Sequence, residues 1–91
     1  MVISETTLVK RSPDALGTQV DQDYVLMAGD LTYHGLDRVG SRVWELLEAP
    51  TTIETIAPLI EAEFTVSADD ARNDLVKFIQ DLADRGLVLE V

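Results

Sequence analysis

The spacing of hydrophobic residues changes abruptly within the segment Gly29 to Glu48, and this change constrains the fold more than any other feature of the chain. Up to Leu36 the residues alternate as they do in a β-strand. After Asp37 the apolar residues recur every three or four positions, which places them on one face of a helix. A short strand therefore runs almost directly into a helix, and the chain divides into a strand-rich first third and a helical remainder.

Three segments of the first third have the character of strands. Thr6 to Ser12 alternates weakly, and the residues from Ser12 to Gly17 are rich in turn formers. A second strand is expected within Thr18 to Ala28, where β-branched and apolar residues concentrate. The third covers Leu31 to Gly35. These segments predict a three-stranded antiparallel meander.

Two short helices are expected next. Asp37 is suited to cap a helix over Val39 to Glu48. Thr51 and Glu54 have the spacing of a capping box, which predicts the start of a second helix there. Pro58 lies inside that helix, and it predicts either a kink or a later start.

The third helix is the longest. Ser67 and Asp70 repeat the capping-box spacing before it, and Gly86 is expected to end it. Leu87 to Val91 can form a short strand or an extended tail. The resulting order of three strands and three helices predicts an α+β domain, similar to a winged helix-turn-helix, that occupies residues 1–91.

Charge and composition limit the kind of partner. The chain has 7 Lys and Arg residues against 17 Asp and Glu residues, a net charge of −10. An acidic surface repels nucleic-acid phosphates, so we expect no nucleic acid as a partner. The apolar runs are too short to span a bilayer, so we expect no membrane association. Since the chain has no cysteine, we expect a cytoplasmic protein without disulfides.

Residues suited to catalysis are scarce. His34 is the only histidine, and the chain offers no thiol nucleophile. Asp69, Asp70 and Asp74 lie in the first turns of the third helix, where carboxylates complement the helix dipole, and they lack the turn of a calcium loop. The glycines form no phosphate-binding motif. We therefore expect a protein that is not an enzyme and that binds neither a metal nor another cofactor.

The order of these features resembles the PqqD-like family, the recognition elements for precursors of ribosomally synthesised and post-translationally modified peptides (RiPPs). In that family a strand ending in Leu and a polar residue precedes a G…(I/V)W.LL helix, a Thr-rich turn, an I…L….F helix and a long helix with L..FI..L...GLV. The resemblance covers Tyr24 to Val88. It departs from the family at Asp37, where Asn is frequent. The matching residues are Leu36, Asp37, Gly40, Val43, Trp44, Leu46, Leu47, Thr51, Thr52, Ile56, Leu59, Phe64, Leu75, Phe78, Ile79, Leu82, Gly86, Leu87 and Val88.

This resemblance implies that a leader peptide adds as an antiparallel strand to the third strand of the meander, in a groove against the third helix. On the helix, Leu75, Phe78 and Leu82 are assigned to the core, and the residues beside them to the groove. Arg72 either contacts a leader carboxylate or pairs with neighbouring acids. The implied peptide-binding residues are Leu31, Thr32, Tyr33, His34 and Gly35 on the strand and Arg72, Val76, Ile79, Gln80 and Ala83 on the helix.

The resemblance also implies a non-catalytic protein that presents the precursor to a separate modifying enzyme, such as a radical SAM protein, a leader peptidase or a cyclase. Lasso-peptide and pyrroloquinoline-quinone pathways are both compatible. Two alternatives stay open. A winged-helix protein would bind DNA or a transcriptional partner, although the third helix carries five acids and three cations. A homodimer would pair the exposed strands of two copies across a two-fold axis.

Overall fold

The computed structural model describes residues 1–91 and contains five strands and three helices. The strands are β1 (Val9–Arg11), β2 (Leu16–Val20), β3 (Asp23–Met27), β4 (Tyr33–Gly35) and β5 (Val88–Glu90). The helices are α1 (Arg38–Leu46), α2 (Ile53–Phe64) and α3 (Ala68–Asp84). Four strands precede the three helices and one follows them, which confirms the predicted α+β class.

The strands form two antiparallel sheets. β2, β3 and β4 make a three-stranded meander, and β1 pairs with β5. The meander was therefore predicted correctly as a motif, and its predicted second and third strands hold β3 and β4, but its first strand is β2 and not the segment predicted for it. The segment Thr6 to Ser12 supplies β1, in which Val9 lies opposite Glu90. The segment Thr18 to Ala28 holds most of a hairpin rather than one strand.

Two local features explain the hairpin. Asp21 adopts a φ of 57° in the two-residue connection between Val20 and Asp23, a left-handed conformation that Asp tolerates better than most residues. Gly17, predicted for a turn, lies within β2. A Cβ atom at Gly17 would lie 2.8 Å from Nε1 of Trp44, so this strand can cross the indole closely only because the residue has no side chain.

Side chains cap the start of each helix. Asp37 Oδ1 accepts the N–H of Gly40 at 2.7 Å, and Ser67 Oγ accepts the N–H of Asp70 at 3.2 Å, which confirms both predicted caps. The predicted cap of α2 is displaced by one residue. Thr51 is extended because it exchanges backbone hydrogen bonds with Val9, so Thr52 caps the helix instead.

The hydrophobic core lies between the helices and the inner side of the meander. Trp44 of α1 is buried and packs in one cluster with Leu26 of β3 and with Leu75 and Leu82 of α3. α2 begins at Ile53, before the proline in its interior, so the alternative of a later start is wrong. Gly86 follows the C-cap of α3 and has a left-handed φ of 76°, which confirms the prediction that the helix ends there.

Candidate functional site

The outer edge of β4 presents backbone groups that no strand of this chain pairs with. β4 contacts β3 alone in the meander. The N–H of Leu36 donates to the carbonyl of Tyr24 at 2.8 Å, so the even-numbered residues of this segment face β3. Alternate residues of an antiparallel ladder direct their N–H and C=O groups to opposite sides. The amides and carbonyls of Tyr33 and Gly35 therefore point to the open edge.

A structured turn leads into β4 and exposes an apolar side chain. Asp30 Oδ1 accepts both the N–H of Thr32 at 3.1 Å and its hydroxyl at 2.6 Å. The Thr32 hydroxyl is the main reason that the pKa of the Asp30 carboxyl lies below its usual value, and the Thr32 amide adds to the effect. Between them, Leu31 has a φ of 68° and is 70 % exposed. Such strain in an exposed apolar residue is typical of binding sites.

Polar contacts connect the same turn to the end of α3. Oγ1 of Thr32 lies 3.1 Å from Nε2 of His34. Nδ1 of His34 lies 3.0 Å from a terminal nitrogen of Arg85, whose Nε donates to Asp81 Oδ2 at 3.0 Å. The side chain of His34 thus points from β4 towards α3, so this helix lies against the inner side of β4.

α3 presents two stripes on either side of its buried face. With about 100° of rotation per residue, the centres of these stripes lie roughly half a turn apart. The hydrogen bond between Arg85 and His34 and the position of Phe78 beside Gly40 identify the stripe that faces β4 and α1. We call it the strand-facing stripe, and it comprises Asp74, Phe78, Asp81 and Arg85. None of these four residues was predicted for the groove.

The opposite stripe contacts the N-terminal segment. The side-chain amide of Gln80 accepts the N–H of Ile3 at 2.8 Å and donates to the carbonyl of Met1 at 2.8 Å. Arg72 pairs with Glu5 at 3.4 Å and with Asp69 at 2.8 Å, so it pairs with acids of its own chain. Residues 1–5 therefore extend over this side of α3.

The predicted residues of the helix consequently lie apart from those of the strand. Ile79 is 0 % exposed and belongs to the core, so it does not line an open groove. Val76 and Ala83 are half-buried and pack against the same core. The structure brings Leu31, Thr32, Tyr33, His34 and Gly35 together, but it does not bring Arg72, Val76, Ile79, Gln80 and Ala83 to them. The sequence signal that could have identified the correct side of α3 is the helical position of Phe78, which lies on the side of the buried stripe opposite to Gln80.

An apolar cavity opens where β4 ends. Its volume is about 490 Å³, and nine of its 13 lining residues are hydrophobic. Asp74 lies at this cavity and Asp37 caps α1 beside it, so carboxylates are the charged groups of its lining. The lining residues are Gly35, Leu36, Asp37, Val39, Gly40, Val43, Ile60, Phe64, Val66, Ala71, Asp74, Leu75 and Phe78.

The side chains that often carry chemistry are dispersed. Nowhere do three or more His, Cys, Asp or Glu residues gather in a way that would hold a metal ion. None of the three helices combines the length and the apolar character needed to cross a membrane. The open edge of β4 and the adjacent apolar cavity together form the candidate binding site.

The sequence matches a known family over most of its length. The model for coenzyme PQQ synthesis protein D (PqqD) matches residues 23–88, a range that includes β3, β4, all three helices and the cavity between them. The chain belongs to the PqqD family. No curated protein gives a significant match.

Two solved structures resemble the chain closely. TbiB1, determined in complex with the TbiA(β) leader peptide, is 38 % identical and superposes with a TM-score of 0.80 over 87 % of this chain and 93 % of its own. The PqqD truncation of Methylobacterium extorquens PqqCD, a stand-alone RiPP recognition element solved by NMR, is 16 % identical. It superposes with a TM-score of 0.81 over 97 % of this chain and 95 % of its own, so it shares the fold.

Proposed function

We propose that this member of the PqqD family is a RiPP recognition element, which binds the leader region of a ribosomally made precursor peptide and catalyses no reaction itself. The observation that carries the proposal is the open edge of β4 beside an apolar cavity. TbiB1, the relative that shares 38 % of its residues with this chain, was solved with a leader peptide bound. The leader is an extended segment that becomes the fourth strand of the meander.

The backbone of β4 supplies the directional part of the binding. Tyr33 and Gly35 each direct one N–H and one C=O to the open edge, so an added strand forms hydrogen bonds with both residues. These groups are also accessible at this edge, because Tyr33 is 72 % exposed and Gly35 carries no side chain. No charged residue or proline within β4 protects the edge against an incoming strand.

The cavity makes leader binding selective for particular side chains. It begins at Gly35 and Leu36, in line with the open edge, and continues between the helices towards Phe78 and Asp74. An apolar side chain of the leader that enters this cavity buries its surface next to Phe78. The carboxylate of Asp74 favours a basic residue next to that apolar anchor.

The direction of the leader follows from the fold. β4 runs from Tyr33, near Arg85 at the end of α3, towards the cavity at the start of α3. A leader that pairs antiparallel with β4 therefore runs in the same direction as α3. Its N-terminal part lies beside Gly35 and its C-terminal part leaves beside Tyr33. The core segment of the precursor then extends from the Tyr33 end towards a separate modifying enzyme, such as a radical SAM protein, a leader peptidase or a cyclase.

The alternative of a DNA-binding winged helix has no support from α3. A recognition helix needs cations and amides free to meet bases and phosphates. Two of the three cations, Arg72 and Arg85, instead form ion pairs with acids of this chain, which leaves Lys77 alone to meet a phosphate. The strand-facing stripe adds the carboxylates of Asp74 and Asp81, which repel a phosphate backbone.

The test is a fluorescence anisotropy titration with a labelled synthetic leader, taken from the precursor gene beside the gene of this protein. A scrambled peptide of the same composition controls for non-specific attraction to the acidic surface, and a short DNA duplex tests the alternative. We expect saturable binding of the leader alone. Equal binding of leader and scrambled peptide, or binding of the duplex alone, would contradict the proposed function.

A further inference from the structure

The outer side of the meander is an apolar sheet face that no element of the chain covers. Its six residues, Leu16, Thr18, Val20, Val25, Met27 and Tyr33, line one shallow groove of about 340 Å³. The registers place Leu16 opposite Met27 and Met27 opposite Tyr33, so three of these side chains form a continuous row across all three strands. We call these six residues the outer face.

Large apolar side chains of the outer face are exposed to solvent. Leu16 is 58 % exposed, Val20 is 54 % exposed and Tyr33 is 72 % exposed. On the inner side of the same strands Leu26 is completely buried against the core. One-sided antiparallel sheets ordinarily direct polar residues to solvent. Contiguous apolar residues at such positions indicate a surface that contacts another molecule.

Carboxylates lie at both ends of the outer face, and the cation Arg38 is already paired with Asp23 at the start of β3. Between Arg11 and Arg38 the sequence contains no Lys or Arg, and it contains five Asp residues. Asp21 lies in the connection between β2 and β3, and Asp30 lies in the connection between β3 and β4 at the other end of the sheet. The outer face therefore has an apolar centre with carboxylates at both ends, which complements a surface with an apolar centre and a Lys or Arg rim.

The outer face continues directly into the proposed leader site. Tyr33 belongs to both, because its side chain lies on the outer face while its backbone groups point to the open edge of β4. A leader strand on β4 adds its own alternate side chains beside Tyr33. Its C-terminal end leaves at the row formed by Leu16, Met27 and Tyr33. A protein bound to the outer face is therefore adjacent to the segment that follows the leader.

We propose that the outer face is the docking surface for the modifying enzyme, and that the enzyme meets it with an apolar patch rimmed by basic residues. The inference rests on the proposed function, since it takes the leader path along β4 as given. The meander then has two binding surfaces: the edge of β4 binds the leader, and the outer face binds the enzyme that acts on the precursor. Because the bound leader widens the face, we expect the enzyme to bind more tightly when the precursor is present.

A second copy of this chain fits the outer face poorly. Each copy carries a net charge of −10, and a two-fold arrangement of facing sheets would bring the carboxylates of both rims together. Like charges at close range across an interface oppose association. The acidic rim therefore favours a basic partner over self-association.

The experiment measures two bindings with the same variants. Leu16→Lys places a charge in the apolar row of the outer face, and Leu59→Lys, at a 44 % exposed position on α2, is its matched control. Asp21→Asn removes a rim charge at a left-handed position that Asn also tolerates, and Glu48→Gln makes the same charge change at an exposed position beyond α1. Leader affinity is measured by anisotropy. The affinity for each purified modifying enzyme encoded beside the gene of this protein is measured by calorimetry, with and without the precursor.

We expect Leu16→Lys and Asp21→Asn to weaken enzyme binding, by about tenfold for Leu16→Lys, while leader affinity stays unchanged. The two controls should retain wild-type affinity for both partners. Unchanged enzyme binding in both test variants, with leader binding intact, would overturn the inference and leave the proposed function standing. A wild-type dimer in sedimentation that Leu16→Lys converts to monomer would overturn it in favour of a second copy. A wild-type protein that binds no leader would overturn the proposed function. In that case, the effect of the variants on enzyme binding in the absence of the precursor still tests the docking surface.

Discussion

Arg85, just after α3, donates a hydrogen bond to Nδ1 of His34 on β4, with 3.0 Å between the two nitrogens. A guanidinium has no acceptor, so Nδ1 must accept and the ring proton resides on Nε2. Nε2 then donates to the hydroxyl of Thr32, which donates to Asp30 Oδ1 at 2.6 Å. One chain of hydrogen bonds therefore connects the turn before β4 with the end of α3.

The tautomer of His34 is the first prediction. We expect the ring nitrogen shifts of neutral His34 to report a proton on Nε2. Arg85→Met keeps an unbranched, flexible side chain but removes the donor, so the preference for this tautomer should fall roughly fivefold, the equivalent of one hydrogen bond. Arg42→Met, which removes a different surface ion pair, is the control. A proton on Nδ1 of His34 in the wild-type protein would contradict this series of hydrogen bonds.

Gly35 provides the second prediction. A Cβ atom at Gly35 would meet nothing within 4 Å, and its N–H points to the open edge of β4. Gly35→Pro should therefore leave the fold intact and remove one donor to the leader. We expect leader affinity to fall about tenfold or more in the anisotropy titration, because a leader carbonyl loses its partner.

Gly35→Ala is the matched control for this prediction, since it adds the same Cβ atom but keeps the N–H. It should bind the leader nearly as well as the wild-type protein does. Chemical denaturation of both variants checks that the fold is retained. Equal affinities for the proline and alanine variants would show that the edge of β4 does not pair with the leader.

The third prediction concerns pH. Hydrogen bonds from Thr32 hold the pKa of Asp30 below its usual value, so the folded state favours the ionised carboxylate. The corresponding contribution to stability is present above the pKa of Asp30 in the unfolded chain and is lost as the pH falls through the lower, folded value. Thr32→Val should raise the pKa of Asp30 towards its usual value, whereas Thr32→Ser should keep it low. A carboxyl NMR titration measures both, and identical midpoints for valine and serine would refute the prediction.

The fourth prediction concerns Gly17, where an added Cβ would lie 2.8 Å from Nε1 of Trp44. Gly17→Ala should lower the free energy of unfolding by about 1–3 kcal/mol, because the buried indole has little room to move. Gly29→Ala, at a position with nothing within 4 Å, should change it by about 0.5 kcal/mol or less. Urea denaturation compares the two. A Gly17→Ala protein as stable as the Gly29→Ala protein would contradict the close contact.

The helices were predictable because their caps are local. Asp37 and Ser67 each accept an N–H three residues along the chain, and this spacing is visible in the sequence. Thr51 misled the prediction of α2 because its backbone pairs with Val9, a contact between distant parts of the chain. The β2–β3 hairpin was missed for a related reason, since its Asp-Gln connection lacks the glycine that usually marks such a turn.

The candidate site was predictable on the strand but not on the helix. Strand residues 31–35 are contiguous, so an approximate strand boundary suffices to find them. On α3, residues on both flanks of the buried stripe have equally suitable spacing. Whether the side of α3 with Phe78 or the side with Gln80 faces β4 is decided by the N-terminal segment, because the N–H of Ile3 donates to Gln80 and the segment covers that side. No periodicity within α3 contains that information.

The most direct test of leader binding along β4 is an NMR titration of isotope-labelled protein with the synthetic leader. The account predicts saturable amide shifts over residues 31–36 and at Asp74, Phe78, Asp81 and Arg85, while Arg72 and Gln80 on the opposite stripe stay in place. Shifts confined to Arg72 and Gln80, or to the other open edge at β2, would contradict it.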